Sequence, residues 1–156
     1  MRRTLVWTGL DLPRSEVAHV IGGARGLRAR GTQIGTDPYP YELRYEVDGT
    51  HLAVELVGGL LRELDLDGAD FFDLAGSPLF NSFPARRDVL YRGGPARDYV
   101  MVWVDVPSLE VSRSEQRYEP LRPGVVRFRE GDFAAEIEFD EDGFVTRYPG
   151  LAERVR

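Results

Sequence analysis

Cysteine is missing from this chain of 156 residues, which excludes a disulfide framework, a thiolate nucleophile and a thiolate metal site. Lysine is missing too, and all 20 basic residues are arginine. The only two histidines, His19 and His51, stand in no ligand or triad spacing. Neither a Gly-x-Ser-x-Gly elbow nor a glycine-rich phosphate loop occurs. Zinc-dependent and nucleophilic hydrolysis thus have no supporting motif, and no metal, cofactor or catalytic residue is assigned. Long apolar runs are absent as well: nothing approaches the roughly 18 residues of a spanning helix. Met1-Arg2-Arg3 leads only into the brief run Thr4 to Trp7, too short for the core of a secretory signal. A cytoplasmic location without membrane insertion is the expectation. A net charge of −6 works against nonspecific attraction to nucleic acid or anionic lipid. Two local basic groups remain, Arg25-Arg28-Arg30, read as a solvated face, and Arg86-Arg87.

What the chain does contain is alternation. With 42% hydrophobic residues and 17 aromatics, it has material for one sizeable core, and no linker divides it, so a single domain over 1–156 is expected. Tyr41 to Val47 sets Leu43, Tyr45 and Val47 against Glu42, Arg44 and Glu46, the period of a half-buried strand. Leu52 to Val57 repeats this after Asp48-Gly49, a tight-turn dipeptide. Tyr99 to Val106 is apolar on both faces, as for a central strand. Strands follow at Leu109–Tyr118, Val125–Arg129, Phe133–Phe139 and Phe144–Tyr148, and Ser15–Ile21, which also reads as a short helix after Pro13, alternates through Val17, His19 and Ile21 in favour of a strand. Short strands separated by turn signals predict an all-β, many-stranded antiparallel architecture, either sandwich or barrel. One short helix is expected from Ser77 or Ser82 to Asp88, with serine as cap and Pro84 in the first turn.

The most specified stretch is Ser77-Pro78-Leu79-Phe80-Asn81-Ser82-Phe83-Pro84-Ala85-Arg86-Arg87, which holds the only asparagine of the chain. Each proline fixes φ and restricts its predecessor, so the polar groups between them are held in few geometries.

This stretch, with Asp70-Phe71-Phe72-Asp73-Leu74 before it, Gln116-Arg117-Tyr118-Glu119-Pro120-Leu121 after it, and Phe139 to Gly143 with Tyr148-Pro149-Gly150-Leu151, resembles the glycolipid-binding family of bacterial proteins over nearly the whole chain. The resemblance implies a spiral β-roll or barrel-like sheet wrapped around one short α-helix, similar in outline to bacterial lipoprotein carriers, and a homodimer. The chain departs from the family pattern at Phe80, where a small polar residue is usual, and at Ala85, where an aliphatic one is. Ser82 stands for a usual threonine. Phe80 narrows or reshapes any cavity.

The expected ligand is an amphiphilic small molecule, a lipid or glycolipid. Its headgroup would meet Asp73, Asn81, Arg86 and Arg87, since guanidinium offers a fork of donors and asparagine both donor and acceptor. Its tail would meet Phe72, Phe80 and Phe83. Adjacent arginines on a helix diverge by roughly 100°, so at most one would enter the site. The competing reading is a scaffold, with Asp73 paired to one arginine and Asn81 tying the helix connection. Two other classes stand beside binding: a hydrolase working through Asp73 or through Glu136 and Glu138, and a structural or partner-binding module.

Overall fold

Period-two alternation is what builds the strands. Leu43, Tyr45 and Val47 are buried while Arg44 and Glu46 are exposed, as a pleated strand with one apolar face requires. The segment from Arg14 alternates in the phase that buries Arg14, Glu16, Ala18 and Val20 and turns Val17, His19 and Ile21 outward. Two ionisable groups therefore sit on the apolar face.

In the computed structural model, which describes residues 1–156, the strands are β1 (Arg2–Gly9), β2 (Arg14–Gly23), β3 (Gly26–Gly35), β4 (Tyr41–Val47), β5 (His51–Leu56), β6 (Leu61–Asp65), β7 (Phe71–Leu74), β8 (Arg97–Val104), β9 (Val111–Arg122), β10 (Val125–Glu130), β11 (Phe133–Phe139), β12 (Val145–Tyr148) and β13 (Ala152–Arg154). They form one open 13-stranded sheet in the order β6-β5-β4-β3-β2-β1-β13-β12-β11-β10-β9-β8-β7. The pairs are antiparallel except β7 with β8, which run parallel, because a helical crossover joins them. Glycine shapes one ladder: Gly31 faces Tyr45 across β3 and β4, and a Cβ at Gly31 would stand 2.3 Å from the Tyr45 hydroxyl.

The helix, α1 (Leu79–Arg87), is buried continuously from Leu79 to Ala85, the condition of a helix enclosed on all sides. Phe80 meets Tyr45 of β4 edge-on at 5.3 Å between ring centres, and the Ser82 hydroxyl oxygen accepts from the Val145 backbone N–H of β12 at 3.2 Å. The sheet thus curves around α1 and touches it from both arms. Two expectations are corrected here. Pro78 holds the N-cap position with no side-chain cap, because Ser77 and Ser82 spend their hydroxyls on β2 and β12. Pro84 lies inside the helix rather than in its first turn.

Candidate functional site

Asp73 lies on β7, a strand with all four residues buried, opposite Trp103 of β8. The next strand, β9, carries Gln116 on its inward face, 3% exposed, where the alternation would ordinarily place an apolar side chain. The Gln116 amide nitrogen donates to the Asp73 carboxyl at 2.7 Å, to Glu130 at 3.1 Å and to the Ser114 hydroxyl at 3.2 Å. Upstream, Asn81 of α1 donates to the Tyr118 hydroxyl at 3.0 Å, and Tyr118 donates to the Gln116 carbonyl at 3.5 Å. A directed chain of donors therefore runs from the helix to two carboxyl groups. Burial, with Glu130 as a neighbouring acid, pushes the Asp73 carboxyl up to about 7, against the smaller opposing effect of the Gln116 hydrogen bond. Asp73 accordingly carries its proton over most of the acidic range.

Asp73, Asn81 and Glu130 line a cavity of about 180 Å³ together with Trp103, Phe128, Phe133 and Tyr148, Asp73 beside Trp103 and Glu130 beside Phe133 across neighbouring strands. The Phe133 ring is 51% exposed and stacks on Tyr148 with 24° between planes. Phe128 meets Phe133 edge-on. The cavity thus offers flat apolar rings and hydrogen-bonding groups side by side.

Ser77 lines the same cavity and links it to a second buried acid. Its hydroxyl donates to Glu16 of β2 at 2.8 Å. Glu16 is 2% exposed, and burial pushes its carboxyl up to about 8, against the lesser effects of Ser77 and Arg14. The other Glu16 oxygen and the Tyr45 hydroxyl are both buried without a hydrogen-bond partner. Arg14, two residues before Glu16, donates to Asp11 at 2.9 Å and to the Leu151 carbonyl at 3.0 Å.

The residues singled out in the sequence do not share one space. Asp73 and Asn81 line the cavity. Phe72, Phe80 and Phe83 pack in the core at 3%, 1% and 7% exposure, around a void of only about 10 Å³, the least that holds one water. Arg86 and Arg87 lie outside the cavity. The Arg86 guanidinium sits 4.6 Å over the Phe144 ring and donates to the Asp142 carbonyl. Arg87 sits 4.2 Å over Phe71 and donates to Asp88 at 3.1 Å. The ion pair of the competing scaffold reading, between Asp73 and an arginine, is not formed, and Gln116 takes that position. Glu136 and Glu138 project into solvent, and Arg127 reaches Glu136 at 3.4 Å. Sequence reasoning missed Glu16, Gln116, Glu130, Phe128, Phe133 and Tyr148 as site residues. The alternation did not mark Glu16 or Gln116: Val17 and Ile21 make the phase opposite Glu16 look the apolar one, and Gln116 shares its phase with Ser112 and Ser114.

The sequence model of a family described as "Putative glycolipid-binding" matches residues 55–154, a span that contains every lining residue of the cavity named above. Among solved structures, the chain is similar to a DUF1089 family protein from Pseudomonas aeruginosa, with 26% sequence identity and a TM-score of 0.58, covering 92% of this chain and 79% of that one. No functionally curated protein matches the sequence.

Proposed function

The chain belongs to the family described in those terms, and from that premise we propose that it binds the sugar headgroup of a lipid-like amphiphile, without cleaving it, in the cavity beside Asp73. The observation that carries this reading is one small cavity lined both by hydrogen-bonding side chains and by aromatic rings. Sugar hydroxyls both donate and accept, and the Asn81, Asp73 and Glu130 side chains that line the cavity supply both roles. The apolar face of a sugar ring is matched by the Phe133 and Tyr148 rings. At about 180 Å³ the cavity is smaller than the roughly 300–1,000 Å³ of sites for drug-sized ligands, which fits one ring rather than a whole glycolipid. Neither twin arginine nor the core phenylalanines take part, so the binding role moves from Arg86, Arg87, Phe72, Phe80 and Phe83 to the far end of the helix.

Native mass spectrometry of protein purified from its own host tests this. A copurifying glycan-bearing amphiphile, lost in a folded Phe133→Ala variant, is the expected result. Repeated spectra of empty protein, together with no saturable binding of simple glycosides, would overturn it.

One observation favours a second, hydrolytic reading. Asp73 is a buried acid that keeps its proton to about pH 7, beside a second carboxylic residue and a cavity, which is the environment of a general acid. Release of 4-nitrophenol from 4-nitrophenyl glycosides that is abolished by Asp73→Asn would establish it. Absence of release from a panel of such glycosides leaves the binding reading alone. The Glu136 and Glu138 face offers no such environment.

A further inference from the structure

The wall of the Asp73 cavity carries acids without a cation. Asp73 and Glu130 both line it, and none of the 20 arginines does. What acts on the Asp73 carboxyl is burial, the Gln116 hydrogen bond and Glu130, with no guanidinium among them. Arg14 stands outside, against Gly76, and its guanidinium is held by Asp11 and the Leu151 carbonyl. Hydrogen-bond donors are short as well. The Gln116 amide nitrogen has two hydrogens and three oxygens within reach, those of Asp73, Glu130 and Ser114, so one oxygen always goes without. Tyr148, also in the wall, is 7% exposed. Its hydroxyl has no hydrogen-bond partner in the protein, and after burial the charges of Asp73 and Glu130 are what raise its pKa. Trp103, Phe128 and Phe133 bring aromatic rings beside it.

We infer, on the footing of the headgroup site proposed above, that the sugar held here is an amino sugar, with its primary ammonium beside Asp73 and Glu130, two acids that the single nitrogen of Gln116 already reaches together. An ammonium brings three donors and no acceptor to a wall with acceptors in excess, where a sugar hydroxyl brings one donor. Its charge is attracted by the carboxylates and by the ring faces alike. A phosphorylated or carboxylated sugar would meet two acids and no cation, so the same wall selects against anionic headgroups. The titratable groups around Asp73 are Glu130 on β10, Tyr118 on β9 and Tyr148 on β12, and none of them brings a positive charge. An ammonium placed there favours the ionised form of Asp73. Binding below pH about 7 therefore expels the proton that Asp73 otherwise keeps.

The test titrates the full chain calorimetrically at pH about 7 with the methyl glycosides of glucose and galactose, their 2-amino-2-deoxy forms, the N-acetylated amines, and ethanolamine. For the sugar that binds, the amino glycoside should bind at least about tenfold tighter than the neutral and N-acetylated ones. Glu130→Gln, which still accepts from Gln116 but carries no charge, should bring the ratio of amino to neutral affinity to within about twofold. If Glu130→Gln does not fold, the parent decides: in two buffers of different ionisation enthalpy near pH 6, the amino glycoside should release up to about one proton on binding and the neutral glycoside none. Equal affinities for amino and neutral glycosides, a tighter N-acetylated form, an amine preference that survives Glu130→Gln, or no proton release would overturn the ammonium assignment and leave the sugar site standing. Ethanolamine bound as tightly as the amino glycosides, with no neutral glycoside bound, would support the ammonium site and overturn the sugar site. No binding of any of these probes would overturn both.

Discussion

Ser77 donates its hydroxyl proton to Glu16 across 2.8 Å of protein interior, fastening the second strand of the sheet to the turn that enters the helix. The bond is also a proton-linked one. Burial raises the Glu16 carboxyl from its ordinary 4.5 to about 8, so over that range the folded protein keeps a proton that the unfolded chain releases. The stability this group contributes is full below pH about 4.5, falls as pH rises, and is lost once pH passes about 8. Glu16→Gln, which keeps an acceptor for Ser77 but cannot ionise, should match the parent at pH 4.5 and exceed it at pH 9 by on the order of a few kcal/mol. Urea unfolding across that pH range measures this, and parallel curves for the two proteins would refute it.

Asp73 repeats the same sign over a lower window. Its carboxyl rises from 3.8 to about 7, so its contribution declines between those values and is constant above them. In Asp73→Asn that decline should vanish, and glycoside affinity, which in the parent should change as pH crosses about 7, should become flat there. Titration calorimetry at pH 5.5 and 8.5 reads the difference. A variant that retains the parent's pH profile would place the titrating group elsewhere.

The twin arginines should separate from binding altogether. Arg86→Met removes a guanidinium that covers Phe144 and bonds the Asp142 carbonyl, at a cost of about 1 kcal/mol. Arg87→Met, whose side chain is half exposed, should cost less than that. Both should leave glycoside affinity unchanged. Thermal denaturation beside calorimetry decides, and a loss of affinity without loss of stability in either variant would return that arginine to the site.

Phe80 is the matching case in the core. It touches Tyr45 and Phe83 at ring-centre distances of 5.3 and 5.9 Å with almost no free space around it. Phe80→Ala should therefore destabilise by about 3–5 kcal/mol while sugar affinity in the folded fraction stays constant. Urea titration and calorimetry below the transition give both numbers.

The strands could be read from the sequence because alternation is a local property. Leu43, Tyr45 and Val47 declare their face within seven residues, and burial follows. The helix was legible in existence but not in its start, because Ser77 and Ser82 look like caps locally and act at long range, on Glu16 and on the Val145 backbone. The site was the least legible part. Asp73 and Asn81 stood out beside two arginines, yet the group that organises Asp73 is Gln116, 43 residues away and brought in by the β7, β8 and β9 ladder. Its acid neighbour Glu130 ends the following strand, and nothing in its local pattern marks it. Proximity along the chain favoured Arg86 and Arg87, whereas the helix carries them away from the end where Asn81 faces the cavity.

The order of the strands has a bearing on how the chain folds. From β1 to β6, and again from β8 to β13, every strand is hydrogen-bonded to its neighbour in sequence, so each arm can zip up from its own turns with little loop-closure entropy. The seam between the arms is short: Trp7, Thr8 and Gly9 against Arg154, Glu153 and Ala152. Across it lies α1, in contact with Tyr45 on one arm and Val145 on the other. The topology predicts that the late event in folding is the docking of the two arms onto the buried helix, the step that also ties Ser77 of the Asp73 cavity to Glu16 on the opposite arm.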